Sequence, residues 1–174
     1  MTKWPWIVLL RIIKRCTSAN CKGENAGRDV FEEQCGGTLV SNSHVITAAH
    51  CIDAQPNHSE VYKVEMFFGI DNRDYTELFR TGTCFSESLI PEYRVVYREA
   101  STVHKHPQYK GVYASTISYQ HDIAIIEMKE PIKTELSSTV RPICLPGGER
   151  PPPGENCFIA GWGFLKIPGL SGQE

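Results

Sequence analysis

The sequence lacks long apolar runs and any marked excess of charge of one sign. Its 174 residues include 18 basic and 20 acidic side chains, a formal net charge of −2. Such a balance offers no field to attract nucleic acid or an anionic membrane, so neither partner is implied. The apolar stretch Trp4–Leu10 is too short to span a bilayer. It is also a poor signal peptide, since Arg11 and Lys14 follow without a small-residue cleavage site. We expect a buried strand over Trp6–Ile13 instead.

The sequence also lacks a helical apolar period sustained over three turns. Only Thr47–Cys51 permits a single helical turn. Short segments rich in valine, isoleucine and aromatic residues alternate with clusters of turn residues, which predicts an all-β fold. In the clearest segment, Val61–Gly69, the residues Tyr62, Val64, Met66 and Phe68 alternate with Lys63 and Glu65, as expected of a half-buried strand. The predicted strands are Trp6–Ile13, Gly37–Ser41, His44–Thr47, Val61–Gly69, Arg94–Arg98, Ile123–Met128 and Phe158–Trp162.

Cysteine, in contrast, is plentiful. The seven cysteines are Cys16, Cys21, Cys35, Cys51, Cys84, Cys144 and Cys157. This number and the irregular spacing are typical of disulfides in an oxidising compartment. Zinc is the competing interpretation, with Cys16, Cys21, Cys35, His50 and Cys51 as soft ligands. The two short ligand pairs usual in zinc sites are absent, so no metal and no cofactor is predicted.

Two polar stretches add information on location and domain organisation. Asn57-His58-Ser59 is a glycosylation sequon within Asp53–Glu60, which we interpret as a surface loop of a secreted, extracellular protein. Residues 142–156 are dense in proline and glycine, which is typical of an exposed linker. The single apolar strand predicted after it cannot bury its faces alone, so we expect it to need partners that this chain does not contain.

The most informative segment runs from Cys35-Gly-Gly to Thr-Ala-Ala-His50-Cys51. It predicts two strands joined by a polar turn at Ser41–Ser43, with His50 emerging where the second strand ends. Cys35 and Cys51 flank this hairpin and could close into a disulfide that holds its ends together. A histidine fixed at a rigid edge in this way is suited to proton transfer near neutral pH.

This segment closely resembles the histidine motif of the trypsin and chymotrypsin family of serine proteases. Further similarities follow in the family's order and cover nearly the whole chain. They are Trp4-Pro5-Trp6-Ile7-Val8, His106-Pro107-Gln108-Tyr109, His121-Asp122-Ile123-Ala124-Ile125-Ile126, Arg141-Pro142-Ile143-Cys144-Leu145-Pro146 and Ala160-Gly161-Trp162-Gly163.

The resemblance implies a fold and a pair of catalytic residues. The fold would be an antiparallel barrel over residues 1–144, an inter-barrel linker over 145–156 and the first strand of an incomplete second barrel over 157–174. His50 would be the general base and Asp122 the carboxylate that orients it. The implied partners are polypeptide substrates and protease inhibitors.

The family's nucleophile lies in a Gly-Asp-Ser-Gly-Gly motif, and no such motif occurs among the 174 residues. The nearest string, around Ser171, lacks the aspartate and the second glycine. The donors of the oxyanion hole belong to the same region. We therefore expect a fragment of a serine endopeptidase that is inactive as an isolated chain. The alternatives are a non-catalytic homologue acting as a secreted binding module, and an incomplete gene model or splice product.

The remaining histidines and cysteines are interpreted as structural residues. His121 is expected to be structural. His104 and His106 could bind a metal from one strand face, but we interpret Lys105 and Pro107 as signs of a solvated loop. The segment Trp6–Cys35 is longer than is usual in the family, and we expect Cys16 and Cys21 within it to form a local disulfide. Cys144 and Cys157 resemble cysteines whose partners lie outside this chain, and Cys84 is unassigned.

Overall fold

The computed structural model describes residues 4–17, 30–54, 59–70, 95–111, 120–133, 139–148 and 150–162. It contains strands β1 (Ile7–Cys16), β2 (Val30–Leu39), β3 (His44–Thr47), β4 (Ser59–Phe68), β5 (Val96–Lys105) and β6 (Ala124–Met128). A four-residue 3-10 helix, Ala49–Ile52, lies between β3 and β4. Within these ranges, no helix has the length and apolar character needed to cross a membrane.

The six strands form a closed antiparallel barrel in the order β1-β2-β3-β6-β5-β4, with β4 pairing back onto β1. Because side chains alternate along a strand, every second residue points into the barrel and fills it. The interior residues are Val8, Leu10, Ile12, Leu39, Val45, Val64, Met66, Phe68, Ala124, Ile126 and Met128. The all-β prediction is therefore confirmed, and so is a buried first strand.

A bulge in β4 changes which side chains face the core. Ile13 pairs with Lys63, but the next residue of β1, Lys14, pairs with Val61, so Tyr62 has no partner in β1. An unpaired extra residue reverses the alternation of the strand beyond it. Val61 therefore packs against the core, whereas Tyr62 is 57% exposed. The sequence prediction is correct for Val64, Met66 and Phe68 and wrong for Tyr62. The expected half-buried strand is also wrong beyond Lys63, because Glu65 and Phe67 on the opposite face are buried as well.

Three other local predictions differ from the structure. β2 begins at Val30, because the polar segment before Cys35 pairs with β1 although its side chains are mostly exposed. β5 continues to Lys105, where a loop was predicted, because its end pairs with β6. Phe158–Trp162 does not form a strand, and Phe158 is 82% exposed. It pairs with no strand of the described chain, and an extended segment without a ladder has its main-chain groups unpaired.

The segment from Val140 to Ile143, after β6, packs against the barrel, and the chain directly beyond it is exposed. Val140 is fully buried, and the main-chain N–H groups of Arg141 and Ile143 donate to the carbonyl oxygens of Pro5 and Leu39, at 3.0 and 2.9 Å. From Cys144 to Cys157 every described residue is exposed. The division into residues 1–144, 145–156 and 157–174 stays a prediction.

Gly37 of β2 faces the packed interior of the barrel, and it provides a test of this packing. A Cβ atom there would lie 2.7 Å from Val45 Cγ1 and 3.3 Å from Leu10 Cδ1. We expect Gly37→Ala to lower the free energy of unfolding by about 1–3 kcal/mol, since these buried atoms have little room to move. The matched control is Gly36→Ala, because a Cβ on Gly36 would meet no atom within 4 Å. Urea unfolding should show a change within about 0.5 kcal/mol for the control, and equal losses for both variants would contradict this packing.

A charged cluster on the outside of the barrel predicts a dependence of stability on pH. Glu99 accepts hydrogen bonds from Lys129 (2.7 Å), Lys63 (2.5 Å) and Tyr97 (2.7 Å). In that order, these donors lower the pKa of Glu99 from its ordinary value near 4.5 to about 2. Because the folded state has the lower pKa, the stabilisation is present above about pH 4.5 and is lost as the pH falls towards 2.

We therefore expect Glu99→Gln to destabilise the protein at neutral pH and progressively less in acid. The full difference in pKa corresponds to about 3 kcal/mol, and solvent screening at this partly exposed site reduces the expected loss to about 1 kcal/mol. Urea unfolding at several pH values measures it, with Glu130→Gln as the control at an exposed carboxylate. A loss that stayed constant down to about pH 3 would be inconsistent with this assignment.

Candidate active site

His50 lies on the 3-10 helix that follows β3. The helix buries Ala49, Cys51 and Ile52 in the core, so His50 is its exposed residue. Two main-chain hydrogen bonds close the turn: Cys51 N–H donates to Ala48 O at 3.3 Å, and Asp53 N–H donates to His50 O at 3.2 Å. Burial of its three neighbours therefore fixes the direction of the His50 side chain, which is 45% exposed.

The predicted disulfide is present beside His50. Cys35 of β2 and Cys51 of the 3-10 helix are bonded, with an S–S distance of 1.99 Å and a Cα–Cα distance of 6.1 Å. The bond joins the helix covalently to the barrel wall. The prediction that Cys35 and Cys51 hold the ends of the hairpin together is confirmed.

Asp122 lies two residues before β6, and its carboxylate contacts His50. His50 Nδ1 lies 2.6 Å from Asp122 Oδ2, and the His50 main-chain N–H donates to Asp122 Oδ1 at 2.8 Å. The residue before it, His121, has φ 59°, and Ile123 N–H donates back to His121 O at 2.8 Å. This tight turn directs the carboxylate at the histidine. The structure thus brings together the two residues that the sequence singled out, 72 positions apart.

The charge of Asp122 determines which nitrogen of His50 carries the proton. Burial alone would raise the pKa of Asp122, but hydrogen bonds from the His50 ring, the His50 main chain and the Ala49 main chain together lower it. Asp122 is therefore ionised at neutral pH, and an ionised carboxylate can only accept hydrogen bonds. It follows that Nδ1 of His50 carries the hydrogen and that Nε2 of the neutral ring is the proton acceptor.

Two further histidines lie next to this pair. His106 stacks on His121, with ring centroids 4.7 Å apart and planes at 10°. The main-chain N–H of His106 donates to Ile123 O at 3.0 Å, and this hydrogen bond supports the turn that carries Asp122. His104, in contrast, is an exposed residue of β5. The solvated loop predicted from Lys105 and Pro107 begins only after Lys105, because β5 pairs with β6 up to that residue, and Pro107 lies in an exposed turn.

The zinc interpretation of the cysteines finds no support in the sulfur chemistry. Cys35, His50 and Cys51 place their ligand atoms within 4.8 Å of one another. However, Cys35 and Cys51 are bonded to each other, and Cys16 is disulfide-bonded as well. Zinc binds thiolates, and a disulfide sulfur is not one. The partner of Cys16 lies outside the described residues, so its pairing with Cys21 stays a prediction.

The other residues discussed from the sequence lie away from His50 and Asp122 in the chain, and several lie outside the described residues. Cys144 and Cys157 are exposed free thiols in this structure. Asn57, Cys84 and Ser171 lie outside the described residues.

One buried carboxylate at the site was not predicted from the sequence. Asp53 was assigned to a surface loop, but it is 8% exposed and directly follows the 3-10 helix that carries His50. Its Oδ1 accepts a hydrogen bond from Lys105 Nζ at 2.8 Å. The sequence carried no signal for this pair, because the two residues are 52 positions apart and Lys105 was expected in a loop.

Comparison with known proteins places this geometry in a family. The family described as Trypsin matches residues 1–173. Chymotrypsin-C of Rattus norvegicus is 31% identical over 163 residues, which are 93% of this chain and 46% of that protein. Transmembrane protease serine 9 of Rattus norvegicus is 32% identical over 172 residues, 99% of this chain and 12% of that protein. The atrial natriuretic peptide-converting enzyme of Homo sapiens is 29% identical over 169 residues, 95% of this chain and 12% of that protein. The chain thus spans about half the length of chymotrypsin-C.

Proposed function

We propose, since the chain belongs to the trypsin family of serine proteases, that it supplies the general base and the orienting carboxylate of a serine endopeptidase. His50 is the base and Asp122 is the carboxylate. The observation that carries this proposal is the 2.6 Å contact between His50 Nδ1 and Asp122 Oδ2. The substrates are polypeptides outside the cell, a location supported by the Cys35–Cys51 disulfide.

The proposed mechanism follows from the tautomer of His50. With Nδ1–H held by Asp122, Nε2 accepts the proton of a serine hydroxyl as its oxygen attacks the carbonyl carbon of a peptide bond. Asp122 then stabilises the imidazolium that forms. Nε2 later gives the proton to the leaving amine, and the resulting acyl-enzyme is hydrolysed by water. The exposed side of His50 leaves room for a substrate to approach.

The serine and the oxyanion donors are proposed to come from sequence beyond these 174 residues, because the Gly-Asp-Ser-Gly-Gly motif is absent from them. The 174-residue chain alone is accordingly proposed to be inactive. The proposal of further sequence is supported by the comparison with chymotrypsin-C: the matched region covers only 46% of that protein.

The test combines the native transcript with a chemical probe. Sequencing the transcript beyond both ends of this segment should reveal a reading frame that continues into a Gly-Asp-Ser-Gly-Gly motif. The encoded protein should hydrolyse peptides and react with a fluorophosphonate, which labels activated serines, whereas the 174-residue chain should do neither. If the native product contains His50 and Asp122 but neither the motif nor fluorophosphonate reactivity, the protein is instead a non-catalytic homologue that binds a partner.

A further inference from the structure

Asp53 is a buried carboxylate at the end of the 3-10 helix that carries His50, and the proposed mechanism gives it no role. Its side chain is 11% exposed, and its position in sequence is three residues after the histidine. An ionised side chain is rarely buried unless charged or polar partners surround it. The partners of Asp53 therefore indicate what holds it there.

Two residues from one neighbouring segment meet this carboxylate. Lys105 Nζ donates to Oδ1 at 2.8 Å, and Tyr109 OH donates to Oδ2 at 3.4 Å. The chain also passes close by at Gly111, which has φ +86° and where a Cβ atom would lie 2.8 Å from Oδ2. Asp53 is thus enclosed by the end of β5 and the loop that follows it.

The segment that encloses Asp53 is attached to the segment that carries Asp122. Lys105 is paired with Ala124, the first residue of β6 and two positions beyond Asp122. The next residue of the chain, His106, donates its main-chain N–H to Ile123 O at 3.0 Å. A bond from Asp53 to Lys105 therefore ties the 3-10 helix of His50 to the strand end that presents Asp122.

We propose that Asp53 is a positioning residue that holds His50 in register with Asp122. Two side-chain bonds flank Ile52, the last residue of the 3-10 helix: the disulfide at Cys51 anchors the helix to β2, and the Asp53–Lys105 ion pair anchors its end to β5. These two bonds add to the burial of Ala49, Cys51 and Ile52, and together they restrict rotation of the short helix that carries His50. The consequence for catalysis rests on the function proposed above, but the geometric role of Asp53 does not.

Proton NMR of the 174-residue chain provides the test. A ring N–H in a short hydrogen bond to a carboxylate gives a far-downfield resonance, so His50 Nδ1–H reports the 2.6 Å contact directly. We expect Asp53→Asn and Lys105→Met each to abolish this resonance, or to speed its exchange with solvent roughly tenfold, because loss of a charge-assisted hydrogen bond eases local opening. Asp53→Glu, which keeps the charge, should restore the resonance in part.

The matched control breaks an ion pair elsewhere on the barrel. Lys14 Nζ, on a side chain only 3% exposed, lies 2.6 Å from Glu33 Oε2. Glu33→Gln should lower the stability of the chain without changing the His50 resonance. Circular dichroism and urea unfolding verify that each variant is folded. If Asp53→Asn does not fold, Lys105→Met decides the result, since Lys105 is 42% exposed and its truncation leaves the barrel core intact.

An unchanged His50 resonance in the folded variants would overturn the proposal. Kinetics of the longer protease provide a second readout: Asp53→Asn should lower kcat by up to roughly 100-fold with little change in KM, as expected when a catalytic group is displaced. Absence of peptidase activity in the longer product would refute the proposed function while leaving the NMR result on Asp53 standing.

Discussion

Replacing Asp122 with Asn in the proposed endopeptidase is expected to lower kcat roughly 10^4-fold, the loss that accompanies this change in the well-characterised Ser–His–Asp triad. The structure explains why so small a change has this effect. Oδ1 of Asp122 accepts from the main-chain N–H of His50, and this donor requires an oxygen opposite it. In the Asp122→Asn variant the side-chain amide nitrogen would therefore be turned towards the ring of His50.

Facing an amide N–H, Nδ1 of His50 has to act as acceptor, and the ring hydrogen moves to Nε2. Nε2 can then no longer take a proton from the serine. KM should change little, because Asp122 contacts His50 and not the substrate. Steady-state kinetics on a peptide substrate measure both constants, with Glu130→Gln as the control for loss of one negative charge at an exposed position. Turnover by Asp122→Asn within a few-fold of that control would rule out the assigned role.

The parts of the site that could be predicted from sequence are those encoded by short-range patterns. The hairpin from Cys35 to Cys51 contains its own turn, its disulfide and the small residues that end at His50, so one continuous segment specified that half of the site. The disulfide is confirmed. Asp122 could be named only because His121–Ile126 resembles the family's aspartate motif, since an aspartate before a strand is unremarkable by itself. Its closeness to His50 depends on β3 pairing with β6.

The parts that could not be predicted depend on contacts between distant residues. Asp53 looked like the start of a polar loop, and only the closure of the barrel places Lys105 beside it. The exposure of Tyr62 results from a bulge that a regular alternation of residues does not reveal. The apolar character of Phe158–Trp162 suggested a strand, yet a strand requires a neighbour, and Phe158 instead contacts Trp4 with ring centroids 5.6 Å apart.

The disulfide beside His50 should have the second large effect, on stability. Its two cysteines are 16 residues apart, and closing a loop of that length removes conformational entropy from the unfolded chain worth about 3 kcal/mol. We expect the double variant Cys35→Ala with Cys51→Ala to lose about that much free energy of unfolding. The melting temperature should fall by roughly 6–12 °C, given the size of the chain.

The chain provides a matched control for this experiment. Cys144 and Cys157 are exposed free thiols, so replacing both with Ala removes two cysteines without breaking a bond between them. Urea unfolding under non-reducing conditions should show nearly unchanged stability for that control. If the two double variants lost equal stability, the bond between Cys35 and Cys51 would not be what holds the 3-10 helix to β2.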